Sequence, residues 1–315
     1  MRAEKYGPGV LQLTDRLFRI DTFMFGWPGV TSVYVVKGER AALIDSGVSV
    51  TADAVLDGIA AAGVRLEDLA FICLTHAHYD HAGGAHELLR RLKSAGANVK
   101  VACAQKPSIY LARQDILDKI IVAGRAAEGD WAGVMKPIEP QDVLVLKPGD
   151  LLDLGGTALE VLDAPGHANG HLAFLALPGN VVFAGEACGV CGFTDSPRPI
   201  IAPAAFAPEY RHKSYIDTVR VISELGAVHV ALAHFGLLTH PRPALLESIE
   251  IAENIHGRVR QVIEGRGDRD RVIAFMAERL AGSLLPIFKS NQKVLITIES
   301  LFAGMAHDLK RSAAK

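Results

Sequence analysis

Cysteine is scarce in this chain, 4 in 315 residues, which is too few for a disulfide framework, so a reducing compartment is expected. Long apolar runs are lacking as well. None approaches the roughly 20 residues of a membrane-spanning helix. The stretch "MRAEKYGPGVLQLTDRLFRI" carries charges and Gly-Pro where a secretory signal would need an apolar segment. The expectation is a soluble, cytoplasmic protein without membrane partners. Excess charge is missing too: the net charge of -2 offers no general attraction to nucleic acid or anionic lipid. Low-complexity tracts and short internal repeats are absent.

What the chain does have is apolar residues, 50% of the total, enough for a sizeable core. The first third reads as strands, a helix and a strand: "DRLFRIDTF" and "TSVYVVKG" are rich in β-branched and aromatic residues, and "GERAALIDSG" is bounded by turn residues. "TADAVLDGIAAA" (51–62) has helical spacing, "LAFICL" (69–74) reads as a buried strand and "GAHELLRRLKSAG" as a helix. A helical insertion is expected at about 106–136. Strands resume with "DVLVL", "TALEVLDAPG", "LAFLALPG" and "NVVFAG". "SYIDTVRVISELG" is a helix, "AVHVALAHFG" another buried strand, and three helices follow Pro241. The resulting division is a catalytic domain over 1–241 and a helical extension over 242–315.

The densest chemistry lies in "THAHYDHAGG" (75–84). His76 and His78, two apart on extended chain, project to one side. Asp80 and His81 follow as the chain turns into a helix, aimed at a second point. Polar groups crowded against an apolar strand end would cost several kcal/mol if unsatisfied, a cost that a divalent cation with nitrogen and oxygen ligands removes. Further donors stand at other strand ends: His167 after "ALEVL", Glu186 after "VVFAG" and His234 after "VALA".

The motifs "LIDSG" (43–47), "THAHYDHAGG", "PGHANGH" (165–171), "FAGEACG" and "LAHFG" together resemble the metallo-β-lactamase superfamily. The resemblance implies an α/β fold, a four-layer αββα sandwich with its metals at the edge between two sheets. It further implies His76, His78 and His167 on one ion and Asp80, His81 and His234 on a second. Glu186 stands where the family has a bridging Asp; being one methylene longer, it either bridges in an adjusted way or ligates one ion. Zinc is the implied cofactor, as two ions, with iron or manganese as alternatives. Relatives of this fold are mostly hydrolases. In that role Asp80 would hold the second ion and orient the attacking water, on a small ester, thioester, lactone or amide substrate. A ribonuclease or a mononuclear iron dioxygenase of the same superfamily are the competing readings. Low basic charge disfavours nucleic acid as a partner, and His81 and His234 exceed what the dioxygenase set needs.

Other residues keep two readings. Asp45 orients ligands or caps a turn. His171 supports the site or is an ordinary loop residue. Cys188 and Cys191 form a lone C-x-x-C, either redox-active or pocket-lining. Phe25 and Trp27 form a lid or core, and Tyr79 faces the site or packs. Arg211, His212 and Lys213 hold an anion or begin a solvated helix. The apolar stripe Ile109, Leu111, Ile116, Leu117, Ile120 and Ile121 covers the site or forms a homodimer interface.

Overall fold

The computed structural model describes residues 9–192 and 199–314. Its fold is mixed α/β, with the strands in two sheets. By contacts the chain forms two units, one running up to Asp163 and including Leu172–Gly179, the other made of Ala164–His171 and the chain from Asn180 on.

In the first unit, β1 (Val10–Thr14), β2 (Leu17–Asp21), β3 (Ser32–Lys37), β4 (Ala41–Ile44), β5 (Leu69–Cys73), β6 (Lys100–Ala104) and β7 (Val143–Leu146) lie side by side in chain order. The first four pair antiparallel, and β4 through β7 pair parallel. Parallel strands need crossovers. The first is made by α1 (Ala52–Ala61), the second by α2 (Tyr79–Ala82) and α3 (Ala85–Ser94), the third by α4 (Gln105–Leu111) and α5 (Gln114–Glu128). These sequences suit helices because apolar residues recur every three or four positions. In α3, Leu88, Leu89 and Leu92 are buried while Arg90 is exposed. Val55, Ile59, Leu88 and Leu92 join Leu43, Ile72 and Val101 of the sheet in one core. Each such fully buried side chain contributes roughly 1.5–3 kcal/mol.

Over the stretch where an insertion is expected, the chain forms α4, α5 and a 3-10 turn over Gly129–Ala132. Its apolar stripe faces inward: Leu111, Leu117 and Ile121 are buried in the core of this unit, and Ile109 stays exposed. Phe25 is buried, with its ring 5.3 Å from Trp27 and edge-on to Trp131 at 6.1 Å, so the aromatic loop packs on this hairpin. The unit is completed by an antiparallel ladder of β8 (Leu151–Asp153), β9 (Ala158–Asp163) and β10 (Leu172–Leu177).

In the second unit, β11 (Val181–Gly185) pairs parallel with β12 (His229–Leu232), which pairs antiparallel with β13 (Leu237–Thr239). The crossover between β11 and β12 contains α6 (His212–Glu224). Three long helices follow, α7 (Pro241–Ile263), α8 (Arg269–Phe288) and α9 (Asn291–Ala313). Proline opens α7, where its missing N–H has no partner to lose. Asp268 caps α8 by accepting from the Asp270 and Arg271 backbone N–H groups.

Candidate metal centre

The donors of the first unit gather where β4 and β5 end. β5 is wholly apolar and pairs on both sides, so its backbone is satisfied and the chain leaves it at Leu74. His78 is still extended, with φ -66° and ψ 153°, and begins the short helix α2. One ring donor of His76 and one of His78 lie within 4.8 Å of each other, and so do donors of Asp80 and His81. The His76 and His78 rings are edge-on, with centroids 4.5 Å apart, and the His81 ring is 4.1 Å from His76. The Gly-Gly that ends the motif has a local reason. A Cβ on Gly84 would lie 2.3 Å from the Ser46 carbonyl oxygen, so only glycine lets this turn close on the Asp45 loop.

Asp45 organises this half of the site. It follows β4 with φ 60°, is buried, and donates its backbone N–H to Cys73. Its carboxylate accepts from the Thr75 backbone N–H at 2.8 Å, from the Thr75 hydroxyl at 3.0 Å and from His81 Nδ1 at 2.9 Å. The Thr75 hydroxyl has one proton, and the carboxylate takes it. The hydroxyl oxygen therefore accepts from His76 Nδ1 at 3.0 Å. Both imidazoles are thereby held as the Nδ1–H tautomer, which leaves the lone pair on Nε2. Of the two readings of Asp45, the orienting one holds.

The second unit repeats the device. His167 is fully buried and donates its Nδ1–H to the Ala204 carbonyl at 2.8 Å, and a carbonyl can only accept. His167 Nε2 then carries a lone pair, yet it faces Glu186 Oε2 at 2.9 Å. The other oxygen, Oε1, lies 3.6 Å from His234 Nε2. One buried carboxylate thus turns one oxygen to each of two imidazoles. The Glu186 backbone N–H donates to His171 Nε2 at 3.4 Å, so His171 anchors the Glu186 backbone through that nitrogen.

This arrangement tests whether the residues suit a metal. A deprotonated imidazole nitrogen and a carboxylate oxygen both carry lone pairs, so at 2.9 Å they repel unless a proton or a cation lies between them. The His81 Nε2–Asp80 Oδ2 pair, at 3.6 Å, repeats the pattern. A carbonyl or carboxylate behind Nδ1 with a lone pair in front is the usual support of a metal-binding histidine. The donor set fits a divalent cation.

Several residues with two readings resolve away from the chemistry. Cys188 and Cys191 are buried free thiols; burial raises both, Cys191 to about 11, so thiolate chemistry is suppressed. Tyr79 packs against Gly124 of α5. The "EYRHKSY" run is an internal joint. His212 stacks on His256 of α7 at 3.6 Å with parallel rings, its Nδ1 pairs with the Tyr210 hydroxyl at 2.9 Å, and its backbone N–H donates to Asp308 of α9. Sequence reasoning missed Thr75, the Ala204 carbonyl and this joint. Thr75 adjoins the motif and could have been noticed, whereas a backbone carbonyl has no sequence signature.

The joint has a pH consequence. Burial, then the charge of His256, lowers His212 from 6.5 to about 4; burial, then Arg260, does the same to His256. Asp308 opposes both shifts. Because the folded values lie below the unfolded ones, the unfolded chain binds protons in this window that the folded chain refuses. Stability from the joint is therefore full above about pH 6.5 and is lost as pH falls towards 4. Thermal melts of metal-free protein are expected to show a Tm that falls over this range, with a shallower fall in His256→Leu. Equal slopes in the two proteins would refute the assignment.

Comparisons with known proteins identify the family. The profile of the metallo-beta-lactamase superfamily matches residues 26–234. The chain is 30% identical over 226 residues to the metallo-beta-lactamase fold-containing protein ST1585 of Sulfurisphaera tokodaii, covering 70% of this chain and 77% of that one. It is 29% identical over 160 residues to a hydroxyacylglutathione hydrolase of Acidiphilium cryptum, covering 51% of this chain and 46% of that protein. This chain thus spans less than half of that hydrolase. A metallo-beta-lactamase family protein from Thermus thermophilus superposes with a TM-score of 0.63 at 20% identity, covering 96% of each chain, a likeness of fold alone. Profile, relatives and donor geometry lead to one conclusion: the chain belongs to the metallo-beta-lactamase superfamily.

Proposed function

We propose that this protein is a metal-dependent hydrolase of small acyl thioesters. In this reading, carried over from the family motif by motif, His76, His78 and His167 would hold one zinc ion and Asp80, His81 and His234 a second, with Glu186 serving both. The observation that carries it is the Glu186 carboxylate, which presents Oε2 to His167 and Oε1 to His234. A glutamate so placed can do what the family's shorter aspartate does. When bound, such ions supply Lewis acidity to a carbonyl oxygen and make water ionisable near neutral pH.

The residues of the chain do the remaining work. Asp45, Thr75 and the Ala204 carbonyl keep three imidazoles in the tautomer that presents Nε2. Asp80 would orient the attacking water by accepting a hydrogen bond from it. Buried Leu74 precedes the motif and buried Ala77 and Ala82 lie within it, which limits competing solvent. A thioester is favoured among acyl substrates because one relative bears the name hydroxyacylglutathione hydrolase. Among the described residues no helix is long and apolar enough to cross a membrane, and the four cysteines are buried and free.

The test is elemental analysis of purified protein beside a panel of acylglutathione, simple ester, lactone, nitrocefin and RNA. Two divalent ions per chain are expected, with thioester turnover abolished by chelation and restored by zinc. RNA cleavage without thioester turnover, or a single iron with oxygen consumption, would overturn the reading.

A further inference from the structure

Helix α9 contains none of the metal motifs, yet it presses on the segment that holds His167. A Cβ on Gly304 would stand 1.9 Å from the Ala205 carbonyl oxygen and 3.1 Å from the Ala207 nitrogen. Ala205 directly follows Ala204, whose carbonyl accepts the His167 Nδ1–H. The next residue, Phe206, meets the His167 ring edge-on at 6.2 Å. One helical turn after Gly304, on the same face, Asp308 accepts the His212 backbone N–H at 3.1 Å. Beside it, the Arg211 backbone N–H donates to the Gly166 carbonyl at 2.8 Å, one residue before His167. Helix α9 therefore reaches His167 by two routes, through Ala204 and through Gly166.

We infer that α9 is a positioning element of the metal centre, with Gly304 as the contact that sets the Ala204 carbonyl and so the aim of His167 Nε2. The inference rests on His167 being a metal ligand. Glycine inside a helix is unfavourable relative to alanine, so this position has a reason to be glycine only if the close approach matters. Gly257 of α7 and Gly282 of α8 provide the contrast, since nothing lies within 4 Å of a Cβ at either. Alanine at Gly304 must push α9 or the 204–207 segment aside, because the atom it meets is backbone.

The experiment compares Gly304→Ala with Gly257→Ala, Gly282→Ala and His167→Ala in the full chain. Zinc affinity is read by competition with a chromophoric chelator, the visible spectrum is read after cobalt loading, and Tm is read without metal. Gly257→Ala and Gly282→Ala are expected to raise Tm by about 2 °C and to bind zinc as the parent does. Gly304→Ala is expected to bind one ion about 10–100-fold more weakly, the range for loss of a ligand's support, and to alter the cobalt spectrum. Parent-like zinc binding and spectrum in Gly304→Ala, with binding lost in His167→Ala, would overturn the role of α9 alone. Parent-like binding in His167→Ala would overturn the ligand assignment and this inference with it. Asp308→Ala tests the same coupling without placing new atoms against Ala205, and several-fold weaker zinc binding is expected. If Gly304→Ala does not fold, unchanged affinity in Asp308→Ala overturns the proposal.

Discussion

Asp45→Asn is expected to lower kcat/KM by about 10–100-fold while leaving the fold in place, the range for loss of the group that holds a metal-binding imidazole in its tautomer. Asparagine matches aspartate in volume and tolerates the left-handed backbone at φ 60°. Its oxygen can still accept from the Thr75 N–H. The side-chain NH₂ must then face His81 Nδ1, which now accepts instead of donating, so the ring proton moves to Nε2 and the lone pair aimed at Asp80 disappears. In the proposed centre, the ion held by Asp80 and His81 would then bind more weakly. Asp45→Ala should be worse for the fold, because three donors to one buried carboxylate lose their acceptor together. Each buried donor left without its acceptor costs about 1–3 kcal/mol. Metal stoichiometry, turnover and urea denaturation separate the two variants. Full metal content and normal rates in Asp45→Asn would show that Asp45 does not set the His81 tautomer.

The second large effect is expected at Glu186. Glu186→Gln keeps the shape but removes the charge shared between His167 and His234. An amide presents one donor and one acceptor, so it cannot offer a lone pair to two cations. Loss of metal affinity should exceed the roughly 10–100-fold typical of removing an outer support, and turnover should fall with it. Glu186→Asp restores the family's residue on a backbone placed for glutamate. The Glu186 N–H held by His171 limits how far that backbone can move. The shorter side chain is expected to reach one imidazole instead of two, so that metal content falls from two ions towards one. Glu186→Gln with parent-like metal content would remove Glu186 from the centre.

Much of this was legible in the residues alone, for a covalent reason. His76, His78, Asp80 and His81 fall within six positions, so local geometry brings their side chains together whatever the rest of the chain does. The helices also announced themselves, because an amphipathic period is local: Leu117 and Ile121, four positions apart on α5, lie on one face and are buried. What the same residues could not reveal is which nitrogen each imidazole presents. That depends on partners far along the chain: Thr75 and Asp45 are 30 residues apart, His167 and the Ala204 carbonyl 37, His212 and Asp308 96. The basic run at Arg211–Lys213 read as a solvated helix start sooner than as an anion holder; Lys213 is exposed and pairs with Asp217, whereas packing brings His256 of α7 and Asp308 of α9 to half-buried His212. By itself the sequence marked the candidate donors, through their spacing, and the fold, through motifs that resemble those of the metallo-β-lactamase superfamily, because spacing and motifs are properties of the chain. Tertiary structure alone decided their tautomers, the two-sided reach of Glu186 and the seat of Gly304, because each is a contact between atoms that only the finished fold brings within hydrogen-bonding or van der Waals range.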